Sequence, residues 1–141
     1  MSTQAELDKL ADEKLAAAEC LAVAGHYDTA YYLAGYAIEL LLKARICKIL
    51  ANPEFFRFES MKQEAYKPFK THDYEQLMVL AGIWKQFEKA MKADNWLEKK
   101  WKKIKTWNEG HRYKQGKTVA EIKAFFEDIK TISIWIKKQP L

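Results

Sequence analysis

A long apolar segment near the N-terminus constrains the fold of this chain more than any other feature. From Tyr31 to Ala44 it reads Tyr-Tyr-Leu-Ala-Gly-Tyr-Ala-Ile-Glu-Leu-Leu-Leu-Lys-Ala, with Glu and Lys as the only charged types. A helix that is apolar around nearly its whole circumference is stable only when other helices cover its faces. We therefore expect a central helix, from an N-cap at Asp28 to about Leu50, that its companion helices enclose.

The rest of the chain predicts further helices. Thr3 with Glu6, and Thr118 with Glu121, have the spacing of a capping box, which satisfies free backbone N–H groups at a helix start. The chain has only five Gly and three Pro, so it has few of the turn-forming residues that a β fold needs. The other predicted helices are Thr3–Ala24, a third from Thr71-His72-Asp73 to about Ala90 with a bend at Gly82, a fourth from Asp94 to about Trp107, and a last one that opens at Thr118. We expect one domain, residues 1–141, folded as an all-α, antiparallel up-and-down bundle of about five helices.

The composition limits the classes of protein to which this chain can belong. Hydrophobic residues make up 49% of the 141 residues, which is enough to bury one core. No apolar run approaches the roughly 18 residues that a membrane-spanning helix needs. The stretch from Met1 to Lys14 is polar and lacks the pattern of a signal peptide. We therefore expect a cytoplasmic protein that makes no membrane contact.

The positive charge is concentrated in one segment. The chain carries a formal net charge of +5, from 24 basic and 19 acidic residues. Between Trp84 and Trp107 the sequence has eight Lys and three acidic residues, and 8 − 3 equals the whole excess of +5. Trp96 and Trp101 are interleaved with these lysines, and Trp107 follows them. Lysines attract phosphates and aromatic rings stack on bases, so the segment suits single-stranded nucleic acid. The alternative is a solvated lysine face with the tryptophans in the core.

Three pieces of sequence together resemble a known family. They are Gly25-His26-Tyr27-Asp28-Thr29-Ala30 continuing through the apolar segment to Ala44, then Thr71-His72-Asp73-Tyr74, and finally Trp107-Asn108-Glu109-Gly110-His111-Arg112-Tyr113. In this order, and over nearly the whole chain, they resemble the HEPN domain, a small helical domain of higher eukaryotes and prokaryotes suspected of binding nucleotides. The resemblance implies a bundle that often forms a homodimer. It also implies either a small nucleotidyltransferase as partner, or metal-independent RNase activity of the toxin–antitoxin or defence type.

The sequence departs from the RNase members of that family. Those members carry an arginine that is followed a few residues later by a histidine. The arginines and histidines of this chain are Arg45, Arg57, Arg112, His26, His72 and His111. No pair has the family's order and spacing, and His111 directly precedes Arg112. This departure favours a non-catalytic module over an RNase with the usual mechanism.

Glu39 is the only carboxylate within the apolar segment. A buried carboxylate must be paired or protonated, because removing an isolated charge from water is costly. Lys43, four residues on, lies on the same helix face, and Arg112 is the other natural partner. One interpretation makes Glu39 and Arg112 the floor of a polar cleft between the central helix and the loop. The other is a salt bridge that orders the loop.

The loop after Trp107 is the main candidate for contacts with a ligand. Arg112 offers a planar fork of donors to phosphate oxygens, and the ring of Tyr113 is suited to stacking on a base. His111 is a candidate general base near neutral pH, and Glu109 lies close to it in sequence. The alternative is a loop pinned by the packing of Tyr113, with His111 exposed.

His72 lies at a predicted helix start. It is either a ligand or base, or a packing and capping residue between Thr71 and Asp73. The histidines are scattered, so neither a metal nor a cofactor is predicted. The candidate ligand-binding residues are Glu39, Lys43, His72, Glu109, Arg112 and Tyr113, and the candidate catalytic residues are Arg112, His111 and Glu39.

Three hypotheses follow from these features. The first is a non-catalytic module that binds a nucleotide, single-stranded RNA or a protein partner. The second is an RNase that uses Arg112 with His111 or His72 as a rearranged base. The third is an assembly role as the partner of a nucleotidyltransferase.

Overall fold

The computed structural model describes residues 3–57, 62–107 and 117–141. Over these ranges the chain forms helices and no strands. The α-helices are α1 (Gln4–Val23), α2 (Tyr27–Ile49), α3 (Tyr74–Leu80), α4 (Trp84–Ala93), α5 (Asn95–Ile104) and α6 (Val119–Lys138), and a 3-10 helix covers Glu64–Phe69. The prediction of an all-α fold is confirmed, and the arrangement is compatible with an up-and-down bundle. Within the described ranges, none of the helices combines the length and the apolar character that crossing a bilayer requires.

The central position predicted for the apolar helix is confirmed. Every residue of α2 from Ala37 to Cys47 is buried, including the charged side chains in that stretch. α2 packs against α1, α3 and α6, and α6 packs in turn against α5. Because α2 has no polar face wide enough to meet water, its burial decides where the other helices lie.

The start of α2 differs from the prediction. α2 begins at Tyr27, and its N-cap is His26, two residues before the predicted N-cap. The His26 side chain makes no capping hydrogen bond. The predicted N-cap, Asp28, lies in the first turn instead. Its Oδ1 accepts the backbone N–H of Lys117 at 3.0 Å. The carboxylate therefore connects the start of α2 to the residues that precede α6.

The third predicted helix is two helices in the structure. Asp73 caps α3 as expected, since its Oδ1 accepts the backbone N–H of Gln76 at 2.9 Å. α3 then ends at Leu80, and α4 begins at Trp84. Gly82 lies between them with a φ of +75°, in the left-handed region that favours glycine. The bend predicted at Gly82 is thus a complete break in the helix.

Local caps fix the starts of α5 and α6. Asp94 Oδ1 accepts the backbone N–H of Trp96 at 3.0 Å, and Thr118 Oγ1 accepts that of Glu121 at 3.2 Å. Both starts agree with the sequence, because a capping side chain and the backbone N–H that donates to it are only a few residues apart. α5 ends at Ile104, earlier than predicted.

An aromatic cluster anchors the irregular chain between α2 and α3. The ring of Phe55 lies 5.0 Å from that of Phe56, 4.8 Å from that of Tyr66 and 4.7 Å from that of Phe69, between centroids. Phe56 is fully buried, and the Lys43 Nζ lies 5.6 Å above its ring centroid. The aromatic cluster therefore covers the Lys43 ammonium group of α2 on one side.

Candidate functional site

The carboxylate of Glu39 lies at the centre of the candidate site. Its side chain is 0% exposed on α2. Lys43, on the next turn of the same helix, donates from Nζ to Glu39 Oε2 at 2.9 Å, and its own side chain is only 4% exposed. The predicted pairing with Lys43 is confirmed. The ammonium group supplies the opposite charge that a buried carboxylate requires.

His72 reaches the same carboxylate from the segment before α3. Its Nδ1 lies 2.9 Å from both Oε1 and Oε2 of Glu39, although the two residues are far apart in sequence. A carboxylate only accepts, so Nδ1 carries the proton and donates it to Glu39. The capping role expected for His72 belongs to Asp73 alone. The His72 side chain is 43% exposed, so one end of the ring is on a buried carboxylate while part of the ring meets solvent.

The three side chains Glu39, Lys43 and His72 form one connected polar group, named here the Glu39 triad. It holds the segment before α3 against the middle of α2. Removing one partner from a buried ion pair typically costs about 3–5 kcal/mol, because the remaining charge stays buried without compensation. The triad is thus a structural clamp as well as a candidate site.

Tyr74 and Trp107 form an aromatic wall beside the triad. The Tyr74 hydroxyl donates to the carbonyl oxygen of Gly35. Its ring stacks on that of Trp107, with centroids 5.4 Å apart and planes only 2° from parallel. Burial first, and then the nearby charges of Glu39 and Tyr31, hold the pKa of the Tyr74 hydroxyl well above its usual range. Tyr74 is therefore a neutral hydrogen-bond donor in the folded protein.

Gly35 leaves the space that Trp107 occupies. A Cβ atom on Gly35 would lie 2.2 Å from Trp107 Nε1, far inside ordinary contact distance. Trp107 is only 4% exposed, and its Nε1 has no hydrogen-bond partner among the described residues. The indole also stacks on Tyr32, with centroids 5.8 Å apart. A small residue at this point of α2 was needed for the close approach of an aromatic ring.

The loop candidates Glu109, His111, Arg112 and Tyr113 lie outside the described residues. The contact between Glu39 and Arg112 therefore stays a prediction. The described residues on either side of the loop are informative. Trp107 packs over Gly35, while the Lys117 Nζ lies 4.3 Å above the ring centroid of Tyr31. Both ends of the loop are thus attached to the first half of α2.

The lysine-rich helix α5 only partly matches the nucleic-acid prediction. Trp101 and Trp107 are both 4% exposed and belong to the core, so neither ring is open to stack on a base. Trp96 alone is open, at 71%, and the Lys99 Nζ lies 5.1 Å above its ring centroid. For Trp101 and Trp107 the alternative interpretation, tryptophans in the core, is the one that the structure shows. The inner stripe of α5, which includes Trp101, packs against α4 and α6.

A cavity that sequence reasoning missed opens at the end of α5. Its volume is about 410 Å³. We name it the lysine pocket. It is lined by Tyr31, Lys102, Lys103, Thr106, Lys117, Glu121, Ala124, Phe125 and Asp128. The lysine count of α5 was a signal for part of this lining. Tyr31 of α2 and Lys117 before α6 also line the pocket, but they come together only through packing, and nothing in the sequence indicated it.

The charges around the lysine pocket are unequally matched. Asp128 is neutralised by Lys100, whose Nζ lies 3.1 Å from Oδ1. Lys102 is 2.9 Å from Glu98, but that pair is exposed to water and weak. Lys103 has no acidic partner among the described residues. Lys117 Nζ lies 4.0 Å from Glu121 Oε2, in a half-exposed pair. The lining thus has three lysines against two carboxylates, a net charge of +1, and Lys103 is its unpaired cation among the described residues.

Among residues 3–57, 62–107 and 117–141, no group of His, Cys, Asp and Glu side chains is arranged to hold a metal ion. The Glu39 triad has one carboxylate and one imidazole, but its ammonium group opposes a cation. Neither family models, nor curated proteins, nor solved structures match this chain. The resemblance to the HEPN domain stays a prediction.

Proposed function

We propose that this chain is a HEPN-like, non-catalytic module that binds the phosphate of a nucleotide or of single-stranded RNA in the lysine pocket. The observation that carries the proposal is the convergence of Lys102, Lys103 and Lys117 on one cavity of about 410 Å³. Two of these lysines come from α5, and the third precedes α6. Cavities that hold small ligands typically have volumes of about 300–1,000 Å³.

The chemistry of the lining supports an anionic ligand. Lysine ammonium groups act as point charges for phosphate oxygens, and they need no metal ion for that contact. The Thr106 hydroxyl at the rim donates its one proton to the carbonyl oxygen of Lys103 at 3.1 Å, so the lysines alone supply the donors for an anion. Tyr31 packs under Lys117 and against Phe125, with ring centroids 4.1 Å apart, and gives the pocket a firm floor. An exposed lysine helix next to the pocket extends the positive surface along which a strand can lie.

The experiment is a salt-dependent titration of labelled single-stranded RNA. We expect binding at about 50 mM salt that weakens with a linear log–log dependence on salt concentration. Lys103→Glu should weaken binding about tenfold and reduce the salt slope by about one. Lys67→Glu, an exposed charge reversal on the 3-10 helix, is the matched control and should bind nearly as the wild type does. Equal affinity of Lys103→Glu and Lys67→Glu would refute the lysine pocket as the site.

The remaining parts of the proposal come from the family resemblance. They are a homodimer and a nucleotidyltransferase as partner, while the cytoplasmic location rests on the composition of the chain. Sedimentation of the pure protein over a wide concentration range tests the first of these. A monomer at every concentration would remove the homodimer from the proposal.

The second candidate function is a metal-independent RNase, and the contact between His72 and Glu39 favours it. With Nδ1 donating to Glu39, the neutral ring has its accepting nitrogen at Nε2. A carboxylate that orients a histidine in this way is a common arrangement around a general base. In RNA, such a base takes the proton of a 2′-hydroxyl. The 2′-oxygen then attacks the adjacent phosphorus, and the 5′-oxygen leaves with a proton from solvent.

Incubation of RNA with pure protein in a chelator tests this second candidate. The candidate requires cyclic-phosphate products that disappear with His72→Ala and with Arg112→Ala. His26→Ala, in the turn before α2, is the matched histidine control and should keep the activity. RNA that stays intact after long incubation would end this candidate. Cleavage that survives His72→Ala would also end it, because the activity would then belong to another group or a contaminant.

A further inference from the structure

A second cavity lies at the corner between α3 and α4, on residues that the lysine pocket does not use. Its volume is about 650 Å³, and we name it the α3–α4 groove. The residues that line it are Val79, Gly82, Trp84, Lys85, Gln86 and Lys89. The left-handed turn at Gly82 creates the groove, because it separates two helices that the sequence pattern makes continuous.

The floor of the groove is apolar and open to solvent. Val79 is 54% exposed on α3 although it is a large aliphatic residue. Ile49, at the end of α2, does not line the groove but borders it at Gly82: it is 40% exposed, and its Cδ1 lies 3.8 Å from the position a Cβ on Gly82 would take. Trp84 is half-buried beside them. Adjacent exposed apolar side chains of this kind are typical of surfaces that bind another protein.

Two lysines give the rim of the groove its charge. Lys85 and Lys89 are one turn apart on α4, so their side chains lie on the same helix face. Both are exposed, and neither has an ion pair among the described residues. An apolar floor with a positive rim is complementary to an apolar stripe with acidic flanks.

We propose that the α3–α4 groove docks an amphipathic helix of another protein, with aliphatic residues along one face and acidic residues beside them. Such a helix places side chains at i, i+3, i+4 and i+7 into a groove. Its aliphatic residues cover Val79 and Ile49, and its carboxylates meet Lys85 and Lys89.

The observations favour this occupant over two others. An RNA strand gains little from the aliphatic side chains of the groove, and the ring of Trp84 contacts those of Phe87 and Trp101, at 6.0 and 5.7 Å between centroids, which restricts stacking on a base. A second copy on a two-fold axis at the groove would put four lysines and no carboxylate of the lining into one interface, because each copy contributes Lys85 and Lys89. Like charges placed opposite each other oppose such a contact.

The test uses two designed helical peptides of about 20 residues, long enough for several turns. Both carry leucines at groove spacing, and one has glutamates where the other has lysines. Calorimetric titration of the full chain should show the acidic peptide binding at least tenfold more tightly than the basic one. Chemical shift changes on binding should map to α3, α4 and the end of α2.

Substitutions in the groove make the test sharper. Val79→Glu should weaken the acidic peptide at least tenfold, and since Val79 is exposed, the thermal unfolding midpoint should change little. Lys85→Glu combined with Lys89→Glu should reverse the preference, so that the basic peptide binds better. Lys103→Glu, in the lysine pocket, should leave peptide binding unchanged.

Four results would overturn the inference. They are equal affinity of the two peptides, undiminished binding to Val79→Glu, displacement of the peptide by RNA, and a dimer of the chain that Val79→Glu dissociates. The first two remove the groove as the docking site. The third assigns the groove to nucleic acid, and the fourth assigns it to a second copy.

Discussion

Replacing Gly35 by alanine tests the packing of the aromatic wall directly. The new Cβ would lie 2.2, 2.3 and 2.4 Å from Nε1, Cδ1 and Cε2 of Trp107, whereas ordinary contact begins at 3.4 Å. Either the indole or α2 must therefore move by about 1 Å, and the indole is held between Tyr32 and Tyr74. Overpacking of this kind costs about 1–3 kcal/mol, and full expulsion of a Trp about 3–5 kcal/mol.

The helix propensity of alanine offsets part of this cost. Alanine stabilises a helix interior by about 1 kcal/mol relative to glycine. We therefore expect the free energy of unfolding to fall by about 2 kcal/mol in Gly35→Ala. Urea unfolding followed by circular dichroism measures this change.

Measuring Gly35→Ala in a chain that also lacks the Trp107 ring shows whether the clash with Trp107 causes the loss of stability. In Trp107→Leu, which frees the space, Gly35→Ala should be neutral or stabilising by up to about 1 kcal/mol. The reasoning would be refuted if Gly35→Ala were as stable as the wild type. It would equally fail if the loss were the same in both backgrounds, since the clash would then have another origin.

Three further predictions concern charged and polar groups of the core. Lys43→Met should lower the free energy of unfolding by about 3–5 kcal/mol, because the Glu39 carboxylate is then buried without its ammonium partner. Adding Glu39→Gln should recover part of the loss, since a neutral amide replaces the carboxylate, and urea unfolding of both variants measures the two changes. The pKa of the Tyr74 hydroxyl is raised in the folded protein, so the stability that this neutral hydroxyl contributes is present below pH 10 and is lost as the pH rises towards the pKa of the folded state. The urea midpoint should therefore fall above pH 10, and it should fall less steeply in Tyr74→Phe. Arg45 is buried and donates from Nη1 to the carbonyl oxygen of Gln139 at 2.9 Å, so Arg45→Met should release the end of α6. Hydrogen exchange of the backbone amides should then become faster at the end of α6 and change little in α1.

The candidate site was only partly predictable. The pairing of Glu39 with Lys43 follows from the sequence, because residues four apart on a helix share a face. The contact of His72 with Glu39 does not, since it depends on how the chain after α2 returns to that helix. The lysine pocket depends on the same kind of information, because Tyr31 and Lys117 come together only when the start of α6 packs on α2.

The sequence by itself determined the central helix and most helix starts. The segment from Tyr31 to Ala44 has no face that tolerates water, so it must be enclosed in any stable fold, and caps such as Thr3 and Asp73 act over three residues. Tertiary structure alone decided that Gly82 breaks a helix and that Trp107 fits over α2. These outcomes depend on which surfaces meet in space, and the free energy of that packing is shared among residues far apart in the chain.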